Sequence, residues 1–173
     1  MEHVIAGYLR QVWEVNGWLY EDQRCFRPRY SSESQIVTVC QDIAGSLDEG
    51  VRADAIVIDF SKAFDLVPHD RLLTKIVATG VDLRVVVWVK ELLLGRSQRV
   101  RLDGQLSEGV AITSGVPQGR VLGPVLFLAY VNDIWRNTEP NIRLFADDCM
   151  IYRKIMDSSE IDKLQTDLKR LGE

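Results

Sequence analysis

Phe145-Ala146-Asp147-Asp148-Cys149-Met150-Ile151-Tyr152 sets two adjacent carboxylates inside apolar, strand-like sequence. Ile142, Leu144, Phe145 and Ala146 on one side, and Cys149 to Tyr152 on the other, read as two short buried strands. A tight turn between them holds the acids. Upstream, Ala55-Ile56-Val57-Ile58-Asp59-Phe60 is another buried strand, ending in a lone Asp and turning at once at Ser61-Lys62. Carboxylates gathered without basic partners repel, so a cation is the natural occupant of a site built from all three. Oxygen-only ligation selects Mg²⁺, or Mn²⁺ as a substitute. Two such ions activate an attacking hydroxyl, stabilise a leaving oxygen and align an in-line phosphoryl transfer. The plainer reading is that Asp-Asp is common in hairpin turns on propensity alone. Separation in sequence does not show whether Asp59 lies near the pair.

With 173 residues, 46% of them hydrophobic, the chain can form one domain with a substantial core. No apolar run approaches the roughly 20 residues that span a bilayer. The longest, Val85 to Leu94, is broken by Lys90 and Glu91, and nothing resembles a signal peptide. Cys25, Cys40 and Cys149 lack any C-x-x-C spacing, which argues against zinc and disulfides and for free thiols in a reducing, intracellular compartment. A net charge of −4 argues against a strong grip on nucleic acid by this chain alone. It leaves open an enzyme that handles polynucleotides, because acids committed to cations add to the negative count.

Along the chain, Val4, Ile5, Tyr8, Leu9, Val12 and Trp13 predict a first helix stopping near Asn16-Gly17. Glu21 to Tyr30 is a basic loop whose Arg24, Arg27 and Arg29 either meet phosphates or are simply solvated. Ser31 or Ser32 caps a second helix with an inward face of Ile36, Val39, Cys40, Ile43 and Leu47, so Cys40 is expected in the core. Pro68-His69-Asp70 opens a third helix closed by Gly80, with His69 as a turn or cap residue. Leu83 to Leu94 suits strand or helix, and its length and Gly95 favour helix. Arg96 to Leu102 alternates, turns at Asp103-Gly104 and resumes at Glu108 to Thr113, a hairpin on which Arg99 and Arg101 share a face. That face is either solvated or meets a nucleic-acid backbone. Ser114 to Pro124 crowds glycine and proline around Gln118, a loop that lets a ligand approach the backbone. Pro124 starts a helix apolar on nearly all sides. Asp157 with Glu160 nearly forms a capping box before a final amphipathic helix of Ile161, Leu164, Leu168 and Leu171.

Together the motifs resemble the palm of a reverse transcriptase from a non-long-terminal-repeat retrotransposon. Asp59-Phe60-Ser61-Lys62-Ala63-Phe64-Asp65 with Val67-Pro68-His69 resembles the first catalytic motif of that family. Ser114-Gly115-Val116-Pro117-Gln118-Gly119 with Val121-Leu122-Gly123-Pro124 resembles its substrate-binding motif, and Phe145-Ala146-Asp147-Asp148 its aromatic-Ala-Asp-Asp box. The resemblance runs from Arg24 to about Tyr152. It implies an α+β palm: a small antiparallel sheet backed by helices, with Asp59 beside Asp147 and Asp148, part of the fingers and no complete thumb. It implies partial fingers over 1–50, the palm over 51–156 and a C-terminal helix over 157–173. Asp59 and Asp147 would bridge two Mg²⁺ ions, with Asp148 less direct and the Phe60 carbonyl on the metal of the incoming nucleotide. Lys62, Ala63, Phe64, Pro117, Gln118 and Gly119 would contact that nucleotide, Phe64 as the aromatic gate against a 2′-hydroxyl. Read without the family, Phe64 is a core residue beside a turn.

The partners implied are an RNA template, a DNA primer and deoxynucleoside triphosphates, in nucleus or cytoplasm, with further fingers, thumb and endonuclease regions in a longer polyprotein. Three positions depart from the family pattern: Arg120 stands where a small residue, most often Ser, is usual, and Cys25 and Arg29 stand where Gly is usual. They raise an alternative, a decayed, non-catalytic remnant that at most binds nucleic acid weakly. Cys25 and Arg29 are expected to strain glycine-type turns. A nucleotide cyclase on the same scaffold is opposed by Pro117-Gln118-Gly119.

Overall fold

The computed structural model describes residues 1–27, 30–137 and 142–171. In chain order its elements are α1 (Glu2–Val15), α2 (Ser32–Asp48), β1 (Arg52–Asp59), α3 (His69–Ala78) and α4 (Leu83–Leu93). Four two-residue strands follow, β2 (Ser97–Gln98), β3 (Arg101–Leu102), β4 (Gln105–Leu106) and β5 (Val110–Ala111). Then come α5 (Leu122–Val131), a 3₁₀ turn at Ile134–Asn137, β6 (Ile142–Phe145), β7 (Asp148–Ile155) and α6 (Ser158–Leu171). This is the α+β class expected, with small antiparallel sheets among helices. The chain forms two compact units, Met1–Trp18 with Lys62–Tyr130, and Leu19–Ser61 with Val131–Glu173.

In the first unit, Leu9 and Trp13 of α1 are fully buried, and the Trp13 indole donates to Thr79 Oγ1 at 3.0 Å. The Val85-Val86-Val87 run is helical because Asp82 caps it, accepting from the Arg84 amide at 2.8 Å, and Gly95 leaves it with φ +69°. Local capping overrides β-branched preference here. Helix α5 has no polar face, and Leu122, Val125, Leu126, Phe127, Leu128 and Ala129 are all buried. The expected hairpin divides into two ribbons, β2 with β5 and β3 with β4. Its turn is at Asp103-Gly104, both with positive φ as a tight two-residue turn requires. The return strand begins at Gln105, earlier than expected, and Ser107 interrupts it by bonding Val100 through its own amide and hydroxyl.

The second unit holds a three-stranded antiparallel sheet in the order β1-β7-β6. Strict alternation sends Ile142, Leu144, Cys149 and Ile151 to one face, where they form a core with Leu164 of α6, flanked by Ile56 and Ile58 of β1. Asp157 Oδ1 starts α6 by accepting from the Ser159 amide at 2.8 Å. Glu160 does not complete a capping box; it pairs instead with Arg153 (3.0 Å) and Lys163 (2.8 Å).

Helix α2 corrects the expected inward face. Ser31 caps it in a reciprocal box with Ser34, yet Ile36, Cys40 and Leu47 are exposed, while Gln35, Val39 and Ser46 are buried. Polar tethers set the rotation. Gln35 Nε2 donates to the Leu144 carbonyl (3.2 Å), and Asp42 accepts from Arg143 (3.2 Å) and from the Tyr152 hydroxyl.

Candidate functional site

The acids of the second unit meet at one end of its sheet. Pairing of β1 with β7 puts Asp59 directly opposite Asp148, and β6 with β7 puts Phe145 opposite Asp148 on the other side. Ala146 and Asp147 are the two-residue turn, with Ala146 at φ +55°. A non-glycine residue there costs on the order of 1–3 kcal/mol and persists only where its surroundings enforce it. The Phe60 amide donates to the Asp147 carbonyl at 3.4 Å, tying the end of β1 to that turn. On the outer edge of β6, the Leu144 amide and carbonyl bond to Asp22 and Arg24. The register sets two of the three acids, Asp59 and Asp148, opposite one another, and Asp147 lies in the adjoining turn.

Among the described residues no Lys or Arg pairs with Asp59, Asp147 or Asp148. Like charges directly opposite on a sheet are unfavourable by themselves. The donor set is hard oxygen alone, which suits Mg²⁺ or Mn²⁺. Among the described residues no three His, Cys, Asp or Glu side chains converge into a ready-made ion cage. Mg²⁺ rarely needs one, since it is commonly held by one or two carboxylates together with substrate phosphates.

Cys25 lies buried near this turn. Burial, helped by the negative charges of Asp147 and Asp148, pushes its thiol up to about 11. Its backbone is not left-handed, so the expected glycine-type strain is absent there; the neighbouring Phe26 carries the positive φ, +55°. Arg29, the other such position, lies outside the described residues. Arg24 donates to Thr38 Oγ1 (2.9 Å), and Arg27 donates to the carbonyls of Tyr20 (2.9 Å) and Gln23 (3.1 Å). Both guanidinium groups lie over the Tyr30 ring, at 5.6 and 5.2 Å from its centroid. They hold their loop in place.

In the first unit, the Ser114–Gly119 loop is stitched to the segment after Lys62. The Val116 amide donates to Phe64 O and the Gly115 amide to Val67 O, both at 2.8 Å, and Ser114 Oγ donates to Asp65 O at 2.8 Å. Gly115 (φ +88°) admits no side chain: a Cβ would lie 2.7 Å from Asp65 O. At Gly123 a Cβ would lie 1.9 Å from Pro117 O. Phe64 is half-buried and stacked on Phe127, ring centroids 4.4 Å apart and 15° between planes. Lys62, Gln118 and Gly119 are exposed, Ala63 is half-buried and Pro117 is buried. Arg99 and Arg101 stand fully on the solvent-facing arm.

Two residues that sequence reasoning did not assign to the loop help to fix it. His69 is buried, neither a turn nor a cap residue, and its Nε2 lies 2.8 Å from the Gly115 carbonyl. Arg96 Nη2 donates to that same carbonyl at 2.8 Å. No local pattern signals either contact, because each spans a long stretch of chain. Arg120 turns its guanidinium to Glu2, Nη1 to Oε1 at 2.8 Å, on the exposed surface of this unit.

A family model described as reverse transcriptase (RNA-dependent DNA polymerase) matches residues 4–173. The chain belongs to that family. Among similar proteins are the probable RNA-directed DNA polymerase from transposon X-element of Drosophila melanogaster, 30% identical over 99% of this chain and 20% of the relative. Another is the RNA-directed DNA polymerase from mobile element jockey of the same fly, 29% identical over 94% of this chain and 18% of the relative. The probable RNA-directed DNA polymerase from its transposon BS is 31% identical over 77% of the chain and 15% of the relative. This reverse transcriptase chain thus spans about a fifth, or less, of the length of the relatives it matches, and its place is among those of non-long-terminal-repeat retrotransposons. Among the described residues no helix of it is long and apolar enough to cross a membrane.

Proposed function

We propose that this chain is the palm region of an RNA-directed DNA polymerase from a mobile element, extending a DNA primer on an RNA template with deoxynucleoside triphosphates. The observation that supports it best is the strand-end cluster: Asp59 opposite Asp148, with Asp147 in the adjoining turn and no basic partner for any of them among the described residues. Asp59 and Asp147 would hold two Mg²⁺ ions, Asp148 and the Phe60 carbonyl completing the set. When bound, such ions polarise the α-phosphate and lower the pKa of the primer 3′-hydroxyl. In the reaction the 3′-oxygen bonds to the α-phosphorus, the bond from the α-phosphorus to the α,β-bridging oxygen breaks, pyrophosphate leaves and the hydroxyl proton passes to solvent. Lys62, Ala63, Pro117, Gln118 and Gly119 would line the nucleotide. Phe64, backed by the Phe127 ring, would stand against its sugar as a wall that cannot retreat. Residues 1–50 then correspond to partial fingers, 51–156 to the palm and 157–173 to a following helix. The remaining fingers, thumb and endonuclease belong to a longer polyprotein, working in nucleus or cytoplasm.

The alternative, a non-catalytic remnant, is favoured by one feature: Arg120 brings a long cation to the loop that carries Gln118, where the two line one cavity of about 750 Å³. Its ion pair with Glu2 gives that cation a partner within its own unit. Primer extension on an RNA template with Mg²⁺ separates the readings, comparing the chain as it stands, Arg120→Ser and Asp147→Asn. Extension by the first that is lost in Asp147→Asn supports the polymerase. Extension only after Arg120→Ser means a copy damaged at that loop. Absence of extension in all three, together with no Mn²⁺ binding by electron paramagnetic resonance, overturns the proposal.

A further inference from the structure

In the first unit the cavity of about 750 Å³ between the Gln118 loop and the β2–β5 ribbon is bordered by two arginines, Arg96 and Arg120. Arg96 is pinned. Its Nε donates to the Leu93 carbonyl (3.2 Å) and its Nη2 to the Gly115 carbonyl (2.8 Å), so neither partner neutralises its charge. Its Nη1 has no partner among the described residues and is not sealed from solvent. Burial, helped by the charge of Arg120, lowers the pKa of Arg96 below the ordinary guanidinium value, so the two cations feel one another.

The lining selects an anion and says which kind. Among the described residues Asp65 is its one carboxylate, so two positive charges face one negative, although the whole chain carries −4. Like charges held close disfavour one another, and a bound anion relieves them. Ser97, Thr113 and Gln118 add hydroxyl and amide donors that no other group of the described chain engages. With the two guanidinium groups they offer more donors than a carboxylate has lone pairs, and they suit the several oxygens of a phosphate, which an arginine fork meets with paired, charge-assisted bonds. Lys62, Ala63 and Phe64, proposed above to meet the nucleotide, are not in this lining. Arg120 also has a competitor for that anion. Its Nη1 pairs with Glu2 Oε1 at 2.8 Å, with the two side chains 58% and 23% exposed. Exposed pairs of this kind hold their partners weakly, so a phosphate in the cavity draws Arg120 from Glu2.

We propose that Arg120, with Arg96, makes this cavity a phosphate-binding site, and that Glu2 holds Arg120 in reserve until a phosphate takes its place. The phosphate is a free ion or belongs to the backbone of a nucleic-acid strand. Because position 120 is one where a small residue is usual, the site is a property of this chain and not of the motif that surrounds it. It does not rest on the function proposed above, since none of the three acids takes part.

The test uses residues 1–173 in EDTA, so that no metal ion bridges a phosphate to the acids. Inorganic pyrophosphate is titrated by calorimetry, and a fluorescein-labelled oligothymidylate by anisotropy. Pyrophosphate is expected to bind, and Arg120→Ser to weaken it about tenfold, the value of one charge-assisted contact. Glu2→Gln, at the surface, is expected to tighten it about threefold by removing the competitor, and it decides the matter should Arg120→Ser fail to fold. That gain should vanish when Glu2→Gln is combined with Arg120→Ser, which separates competition for Arg120 from a general loss of negative charge. Oligonucleotide binding that falls likewise with Arg120→Ser supports the site and assigns the phosphate to a strand; oligonucleotide binding indifferent to that change, with pyrophosphate still dependent on Arg120, supports it and assigns a free ion. No binding of pyrophosphate, equal binding by Arg120→Ser, no gain from Glu2→Gln, or a gain that persists without Arg120 overturns the proposal. Because primer extension needs the metal that EDTA removes, such a failure leaves the polymerase reading standing.

Discussion

Replacing Gly115 by Ala is the most searching perturbation of the loop that carries Gln118, because the neighbouring Gly119 supplies its own control. Both glycines have positive φ, +88° and +73°. For an L-residue that conformation costs about 1–2 kcal/mol. Part is offset by about 0.4–1 kcal/mol, since Ala has fewer unfolded conformations than Gly. At Gly119 a Cβ meets nothing within 4 Å, so Gly119→Ala loses only the net backbone term, about 1 kcal/mol. At Gly115 the added carbon would stand 2.7 Å from Asp65 O and 2.9 Å from both Asp65 Cα and Phe64 O. These are backbone atoms, and Phe64 O is itself held by the Val116 amide at 2.8 Å. Relief therefore means overpacking strain of about 1–3 kcal/mol, with hydrogen bonds worth about 1 kcal/mol each at risk. Gly115→Ala should destabilise the chain by about 3 kcal/mol in total. With an m-value of about 2 kcal/mol/M, the urea midpoint falls by about 1.5 M, against about 0.5 M for Gly119→Ala. Equal midpoints for the two variants would refute the reasoning, because the steric term would then be absent.

Asp59→Asn should remove primer extension while raising stability in metal-free buffer by about 0.2–1 kcal/mol, since it relieves a like-charge pair facing across the sheet; a loss of stability in the urea midpoint would contradict this. The Tyr152–Asp42 contact predicts pH dependence at both ends. The Tyr152 hydroxyl, with help from Arg143, holds the Asp42 carboxyl below the usual range, so its contribution is present above the ordinary carboxylate pKa and lost as acid takes pH through the lowered value. Burial and the Asp42 hydrogen bond push Tyr152 up to about 12, so its contribution is complete below about 10 and lost as pH rises through about 12. Tyr152→Phe should flatten both limbs of a urea-midpoint profile, and an unchanged profile would exclude the contact. If Arg99 and Arg101 grip phosphates, replacing both by Ala should weaken RNA–DNA duplex binding equally across sequences and reduce the salt slope by about 2. An unchanged slope in a fluorescence titration would leave them as a solvated face.

Much of the fold was readable because it rests on local signals. Strand alternation around Asp147-Asp148, the glycine after each of the first four helices, the cap at Asp82 and the Asp103-Gly104 turn all appear where the pattern puts them. Errors came wherever a distant polar partner outweighed local periodicity. Cys40 follows the apolar spacing of α2 but is exposed, because Gln35 and Asp42 on the same helix bond to β6 and β7. Glu160 has the spacing of a capping box but finds Arg153 across the interface of α6 with β7. His69 looks like a turn residue and is a buried tether to Gly115.

The candidate site divides along the same line. By itself the sequence determined the residue types and their order: acids at strand ends, a glycine-rich loop around Gln118 and the three motifs that carry the family. Tertiary structure decided which groups share a place. Strand register, a long-range property, puts Asp59 opposite Asp148. Close backbone approach, not turn propensity, is what confines residue 115 to glycine. Gln35 keeps its Oε1 buried without a partner only because one amide hydrogen bond to Leu144 rotates α2 and buries the rest of the side chain. Local patterns report the conformations a segment favours, whereas contacts between segments far apart in the chain depend on packing that no single stretch encodes.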